Sequence, residues 1–127
     1  MWSSHHWIAV AVGGALGSVA RHGVNMLFAH LFVRPVPYAT ATVNLIGSAA
    51  IGVLAGLIAV DRVAMSPTMR TFVFVGLLGG FTTFSSFMLD ALTLIHTGDR
   101  ELGLSNVVGQ TVFGLIAVYA GYYLATN

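Results

Sequence analysis

The chain has 127 residues, of which 57% are hydrophobic and 7% charged, and its net charge is +1. Ordinary soluble domains carry about 25% charged residues, and five basic plus four acidic side chains cannot cover the surface that so small a domain exposes to water. With no lysine there is no basic patch for phosphates, and with no cysteine there is no disulfide, iron–sulfur cluster or thiolate zinc site. This excludes a soluble enzyme, a nucleic-acid binder and a disordered chain, and leaves an integral membrane protein.

A helix needs about 20 apolar residues to cross the hydrocarbon core, and four stretches provide them. Trp7 to Val33 comes first, interrupted by Arg21 and His22. It is too long an apolar run for a secretory signal, and Met1 to Trp7 lacks the basic residues that a signal carries. Arg34-Pro35-Val36-Pro37 forms the first loop, because proline ends helices and extends the residue before it. Tyr38 to Val60 is the second span, without a charge. Asp61 to Met69, with Pro67, is the next loop. The third span runs from Arg70 to Ile95 and holds Asp90. Thr97-Gly98-Asp99-Arg100-Glu101 turns the chain into the fourth, Leu102 to Leu124. Residues 1–127 therefore read as one all-α membrane domain. Trp2 and Trp7 at one end, and Tyr119, Tyr122 and Tyr123 at the other, fit interfacial aromatic belts.

Lysine and arginine normally concentrate in cytoplasmic loops. Here Arg62 and Arg70 fall on one side of the four spans, and Arg34 and Arg100 on the other. A chain so balanced has little to orient it, which predicts insertion in both directions and antiparallel pairing. Small residues recur at helix-contact spacing: Gly13 and Gly17; Ser48, Gly52 and Gly56; Gly76 and Gly80. Close backbone approach holds helices together in lipid. These steps serve either an oligomer interface or packing within one bundle.

Polar residues at membrane depth are expensive, so each is a site candidate. Thr40, Asn44 and Ser48 sit at i, i+4, i+8 and make one stripe. Asn106 and Gln110 repeat that spacing in the fourth span, with Thr111 beside them. All carry hydrogen-bond donors and no charge, which suits either a lined ion path or bonds between helices. Gly79-Gly80-Phe81-Thr82-Thr83-Phe84-Ser85-Ser86-Phe87 lies at the centre of the third span, and glycine and threonine are poor helix formers. The pattern predicts that residues 79–83 leave the helix at the midplane, against the alternative of a continuous helix in close contact. Freed carbonyls there can bind a cation. Phe84 and Phe87 share a face just beyond, where positive ring edges could meet an anion or simply pack in the core. Arg21 draws anions into a vestibule, ties a carbonyl and a carboxylate together, or snorkels. Asp90 takes up protons, shapes a vestibule or pairs with Arg21. His22, His30 and His96 read as packing residues, since none has a partner at ligand spacing within its span.

The central nonapeptide, together with Gly13-Gly14-Ala15-Leu16-Gly17-Ser18-Val19-Ala20-Arg21 and Ala41-Thr42-Val43-Asn44-Leu45-Ile46-Gly47, closely resembles the fluoride-specific ion channels of the Fluc/CrcB type, over essentially the whole chain. The resemblance implies four transmembrane helices, the third broken at the midplane, in an antiparallel, dual-topology homodimer in the cell (inner) membrane. It implies two pores that export fluoride passively and so limit its toxicity. Asn44 matches the pore asparagine, and Phe84 and Phe87 the pair whose ring edges face fluoride. Thr83 and Ser85 match hydroxyls beside the break. Thr40, Ser48 and Gln110 extend the pore's polar track. Arg21 and Asp90 fall at a vestibule. The carbonyls of Gly79 and Thr82 match those that hold a structural sodium ion shared by both subunits. Three residues depart from the family pattern: His22 stands for a tyrosine, Asp90 for a glutamate, and Gln110 for a small hydroxyl residue.

Fluoride holds its water tightly, so a pore must replace that water with donors yet bind weakly enough to release the ion. Neutral amides, hydroxyls and ring edges suit that compromise. A small multidrug transporter of similar length would need a buried carboxylate in the first span, and none is there. A haem-holding membrane subunit would use His22 or His96, and a proton-coupled fluoride transporter would use Asp90.

Overall fold

The computed structural model describes residues 3–127, so Trp2 lies outside the described residues. Helix α1 is Ser4–Leu31 and α2 is Tyr38–Ala59. The third helical segment, Pro67–His96, has two parts. Its first half, α3, joins Pro67–Arg70, a wider π-helical stretch Thr71–Leu78, and Gly79–Phe81. Its second half, α4, is Ser85–His96. The last helix, α5, is Arg100–Thr126. No strand occurs among the described residues.

The ends follow from local chemistry. Ser66 caps α3 by accepting the Met69 N–H at 3.1 Å, and Pro67 opens the helix where its missing N–H costs nothing. Gly98, at φ 92°, ends the turn after α4, and the Asp99 N–H closes back on Leu94 O at 2.8 Å. Arg62 donates to Ala125 O at 2.9 Å and to Asn127 O at 3.3 Å, placing its charge at the negative end of α5.

Two tight helix pairs form the body, and both use the small-residue steps. On α1, Gly13 and Gly17 lie against Gly76 and Gly80 of α3. A Cβ at Gly17 would strike the Leu77 carbonyl oxygen and the Phe81 nitrogen. On α2, Gly52 meets the Val118 backbone of α5, and Gly56 meets Tyr122 and Ala125. Asn44 bonds Gln110 in the same register, so α2 and α5 run parallel. Small residues let these backbones close, as they must where no water drives association.

Few side chains are deeply buried, whereas Val19, Leu89, Val108, Leu115 and Leu124 are exposed. That distribution suits a lipid surround. Tyr38–Ala59, Pro67–His96 and Arg100–Thr126 are long and apolar enough to cross a membrane. The 28 residues of α1 are long enough, but α1 does not join those three on hydropathy, since it carries Arg21, His22 and several small residues.

Replacing Gly17 by valine is expected to lower stability by about 1–3 kcal/mol, because the added methyls meet backbone that cannot yield. Gly23→Ala, where a Cβ meets nothing within 4 Å, is expected to leave stability unchanged or slightly raised. Thermal unfolding of the purified protein in detergent checks the pair.

Candidate functional site

Helical geometry stops at Thr82, which is extended at φ −88°, ψ 162°, and resumes at Ser85. The sequence pattern places the interruption at residues 79–83. Gly79 and Gly80 are instead helical, and Thr82 to Phe84 form the interruption. The glycines serve contact: a Cβ at Gly80 would lie 2.7 Å from the Gly14 oxygen. The threonines do the interrupting, because their side chains and neighbours compete for the backbone.

Tracing each donor shows how. In a continuous helix the Thr83 N–H would serve the Gly79 carbonyl and the Ser86 N–H the Thr82 carbonyl. Instead the Thr83 N–H donates to Asn44 Oδ1 at 2.8 Å, and the Ser86 N–H to Thr83 Oγ1 at 3.2 Å. The carbonyls of Gly79 and Thr82 thereby lose their helical donors. Leu78 O keeps the Thr82 N–H at 3.0 Å and also accepts the Thr82 hydroxyl at 2.9 Å. Gly80 O accepts Arg21 Nε at 3.1 Å.

Asn44 completes the exchange. Its Nδ2 donates to Thr83 O at 3.0 Å and to Gln110 Oε1 at 2.8 Å. Gln110 Nε2 donates in turn to Asn106 Oδ1 at 2.7 Å. A line of amides therefore links α2 and α5 to the interruption.

An open cavity of about 460 Å³ lies against this region. Asn44, Ser48, Gly79, Thr82, Thr83, Phe84 and Phe87 line it, with Gly47, Ile51, Phe74 and Leu78. Phe84 and Phe87 meet edge to face, with centroids 6.0 Å apart. Phe84 is 73% exposed and Phe87 only 7%. Gln110 joins this group only through Asn44. Ser85 is exposed and does not line the cavity. Thr40 is buried and faces the Asp90 carboxyl rather than lining the cavity. Arg21 is occupied with Gly80 on the α1 side and does not reach Asp90.

Residues 8–122 match the family described as CrcB-like protein, Camphor Resistance (CrcB). The chain belongs to this family. Its relatives include the fluoride-specific ion channels FluC of Paramagnetospirillum magneticum, 45% identical over 92% of both chains, and of Opitutus terrae, 44% identical over 95% of this chain and 92% of that one. The one from Allorhizobium ampelinum is 46% identical over 90% of both. CrcB-like proteins with such names are ion channels and not enzymes.

For a CrcB-like chain, Gln110 and Asn106 are the informative residues. Gln110 is long enough to cross to Asn44, which a small hydroxyl residue is not. Sequence reading singled out Asn106 only as a spacing partner of Gln110. Its role depends on the register of α5 against α2, and the i, i+4 amide pair was the one signal available.

Asn44→Leu is expected to destabilise the protein by about 2 kcal/mol or more, because it strands both the N–H and the C=O of Thr83 away from water. The thermal midpoint of the purified variant, set against wild type, checks this.

Proposed function

We propose that this chain is a fluoride-selective channel that works as an antiparallel homodimer with two pores, each protomer crossing the cell (inner) membrane four times. The observation that carries the reading is the interruption between α3 and α4, where neutral donors, phenylalanine edges and two undonated carbonyls meet in one place. The names of the relatives point the same way.

The interruption sorts charge. The C-terminal end of α3 carries partial negative charge, and the N-terminal end of α4 partial positive charge. The first end suits a cation and the second an anion. Phe84 and Phe87 stand at the second, with ring edges that are electropositive but uncharged. Thr83 contributes a hydroxyl there and Ser48 lines the same cavity, while Ser85 stands exposed at the start of α4. Thr40 and Gln110 continue the track along α2 and α5. No guanidinium enters the track, since Arg21 is held at Gly80, so an entering anion meets no fixed counter-charge from which it would leave slowly. Arg21 and Asp90 stay at the vestibule margins.

The Gly79 and Thr82 carbonyls fit a sodium ion. Both have lost their helical donors, oxygen ligands suit a hard cation, and Gly79 is exposed. A two-fold axis in the membrane plane would bring the same pair from a second protomer. Such an ion would neutralise converging carbonyl dipoles and hold the two copies together. The even division of Arg34 and Arg100 against Arg62 and Arg70 supports insertion in both orientations. The cavity beside the exposed Phe84 is open in one protomer, which leaves room for a second copy to close it. Passive export through such a pore would reduce fluoride toxicity.

Liposomes holding the purified protein are expected to release fluoride quickly once valinomycin sets the potential, and to retain chloride. Asn44→Asp is expected to cut this release about tenfold or more. The new carboxylate would face the Thr83 carbonyl, lose both donated bonds and repel an anion nearby. A fluoride electrode reads both, and unchanged release from Asn44→Asp would remove Asn44 from the pore.

A further inference from the structure

Asn44 cannot serve an anion as donor in this arrangement. An amide has two N–H donors. One goes to Thr83 O and the other to Gln110 Oε1. Its oxygen is taken by the Thr83 N–H. Because Asn44 grips both the N–H and the C=O of one residue, Thr83, its amide cannot flip without setting oxygen against oxygen. That fixes every amide beyond it. Gln110 must present its oxygen to Asn44 and so turns its NH2 to Asn106. Asn106 must accept with its oxygen, and its own NH2 is left pointing onward.

That NH2 is the end of the line. Asn106 is 7% exposed, and Asn106 Nδ2 is buried without a hydrogen-bond partner. The orphan is a donor and not an acceptor, so what completes it is an anion or a water oxygen, never a cation. Each amide upstream polarises the next and strengthens the last donor. The register of α2 on α5 puts Asn106 level with Thr40, one helical turn from the Asn44–Gln110 contact. Asp90 faces Thr40.

We propose that Asn106 Nδ2 is an anion-binding subsite of the pathway, and that Gln110 relocates to it the donor function that Asn44 has lost. The assignment rests on the channel reading above and names fluoride as the ion. A single trapped water is the competing occupant.

Two variants and two readings test it. Wild type, Asn106→Leu and Asn106→Ser are compared for valinomycin-dependent fluoride release from liposomes, and for the rise in thermal midpoint on adding sodium fluoride over sodium chloride. Asn106→Leu removes the donor and also strands Gln110 Nε2, whose acceptor is Asn106 Oδ1, so it should fold with a lowered midpoint. It should release fluoride about tenfold more slowly or worse, as the loss of a hydrogen bond to a charged group predicts, and lose part of the fluoride-induced shift. Asn106→Ser restores a hydroxyl and should recover part of both. Wild-type release and shift in Asn106→Leu would overturn the subsite and leave a structural water. If Asn106→Leu does not fold, Asn106→Ala against Asn106→Ser makes the same contrast, and equal values overturn it. If wild type releases no fluoride, the channel reading fails; the subsite then stands only if Asn106→Leu still loses a fluoride-induced shift, and falls otherwise.

Discussion

The site depends on one paired interaction: the Asn44 side chain binds both the N–H and the C=O of Thr83. A residue whose N–H is held that way cannot return it to the helical ladder. The Thr83 N–H is withdrawn from Gly79, and the Thr83 hydroxyl then draws the Ser86 N–H from Thr82. In a membrane an unpaired backbone group has no water to turn to, so non-helical backbone survives only where other protein groups or a cavity receive it. Here α2 supplies the replacement partner and the cavity receives the rest. The interruption is thus sustained from outside its own segment.

Close packing makes that exchange possible. Asn44 reaches Thr83 because α2 lies near the interruption, with Gly47 facing the Thr82 side chain. Arg21 reaches Gly80 because Gly13 and Gly17 let α1 close on α3. One guanidinium thereby tidies a carbonyl at the end of α3 and keeps its charge out of the donor track. The segment that results sets the partial negative end of α3 and the partial positive end of α4 a few residues apart.

Much of the helical framework was legible, because long apolar runs bounded by Pro35, Pro37, Pro67 and Gly98 admit little else. The nonapeptide marked the interruption but misplaced it within the segment. Gly79-Gly80 looks like a helix breaker in one dimension, yet in three it is a seat for Gly14. Phe84 and Phe87 share spacing and chemistry, and nothing in the sequence separates the exposed ring from the buried one. The hydrogen-bond saturation of Asn44 was also hidden. It depends on Gln110, which stands 66 positions away and meets Asn44 only through the register of two glycine-packed helices.

Neutral donors at this interruption are proposed to pass fluoride and reject other ions. The most direct measurement is the reversal potential of purified protein in a planar bilayer, with sodium fluoride on one side and sodium chloride at equal concentration on the other. A fluoride-selective pore gives a large reversal potential of the sign expected for fluoride permeability far above that of chloride. A reversal near zero would show that the pore does not distinguish the two anions or that it passes the shared cation, and either would contradict the proposal.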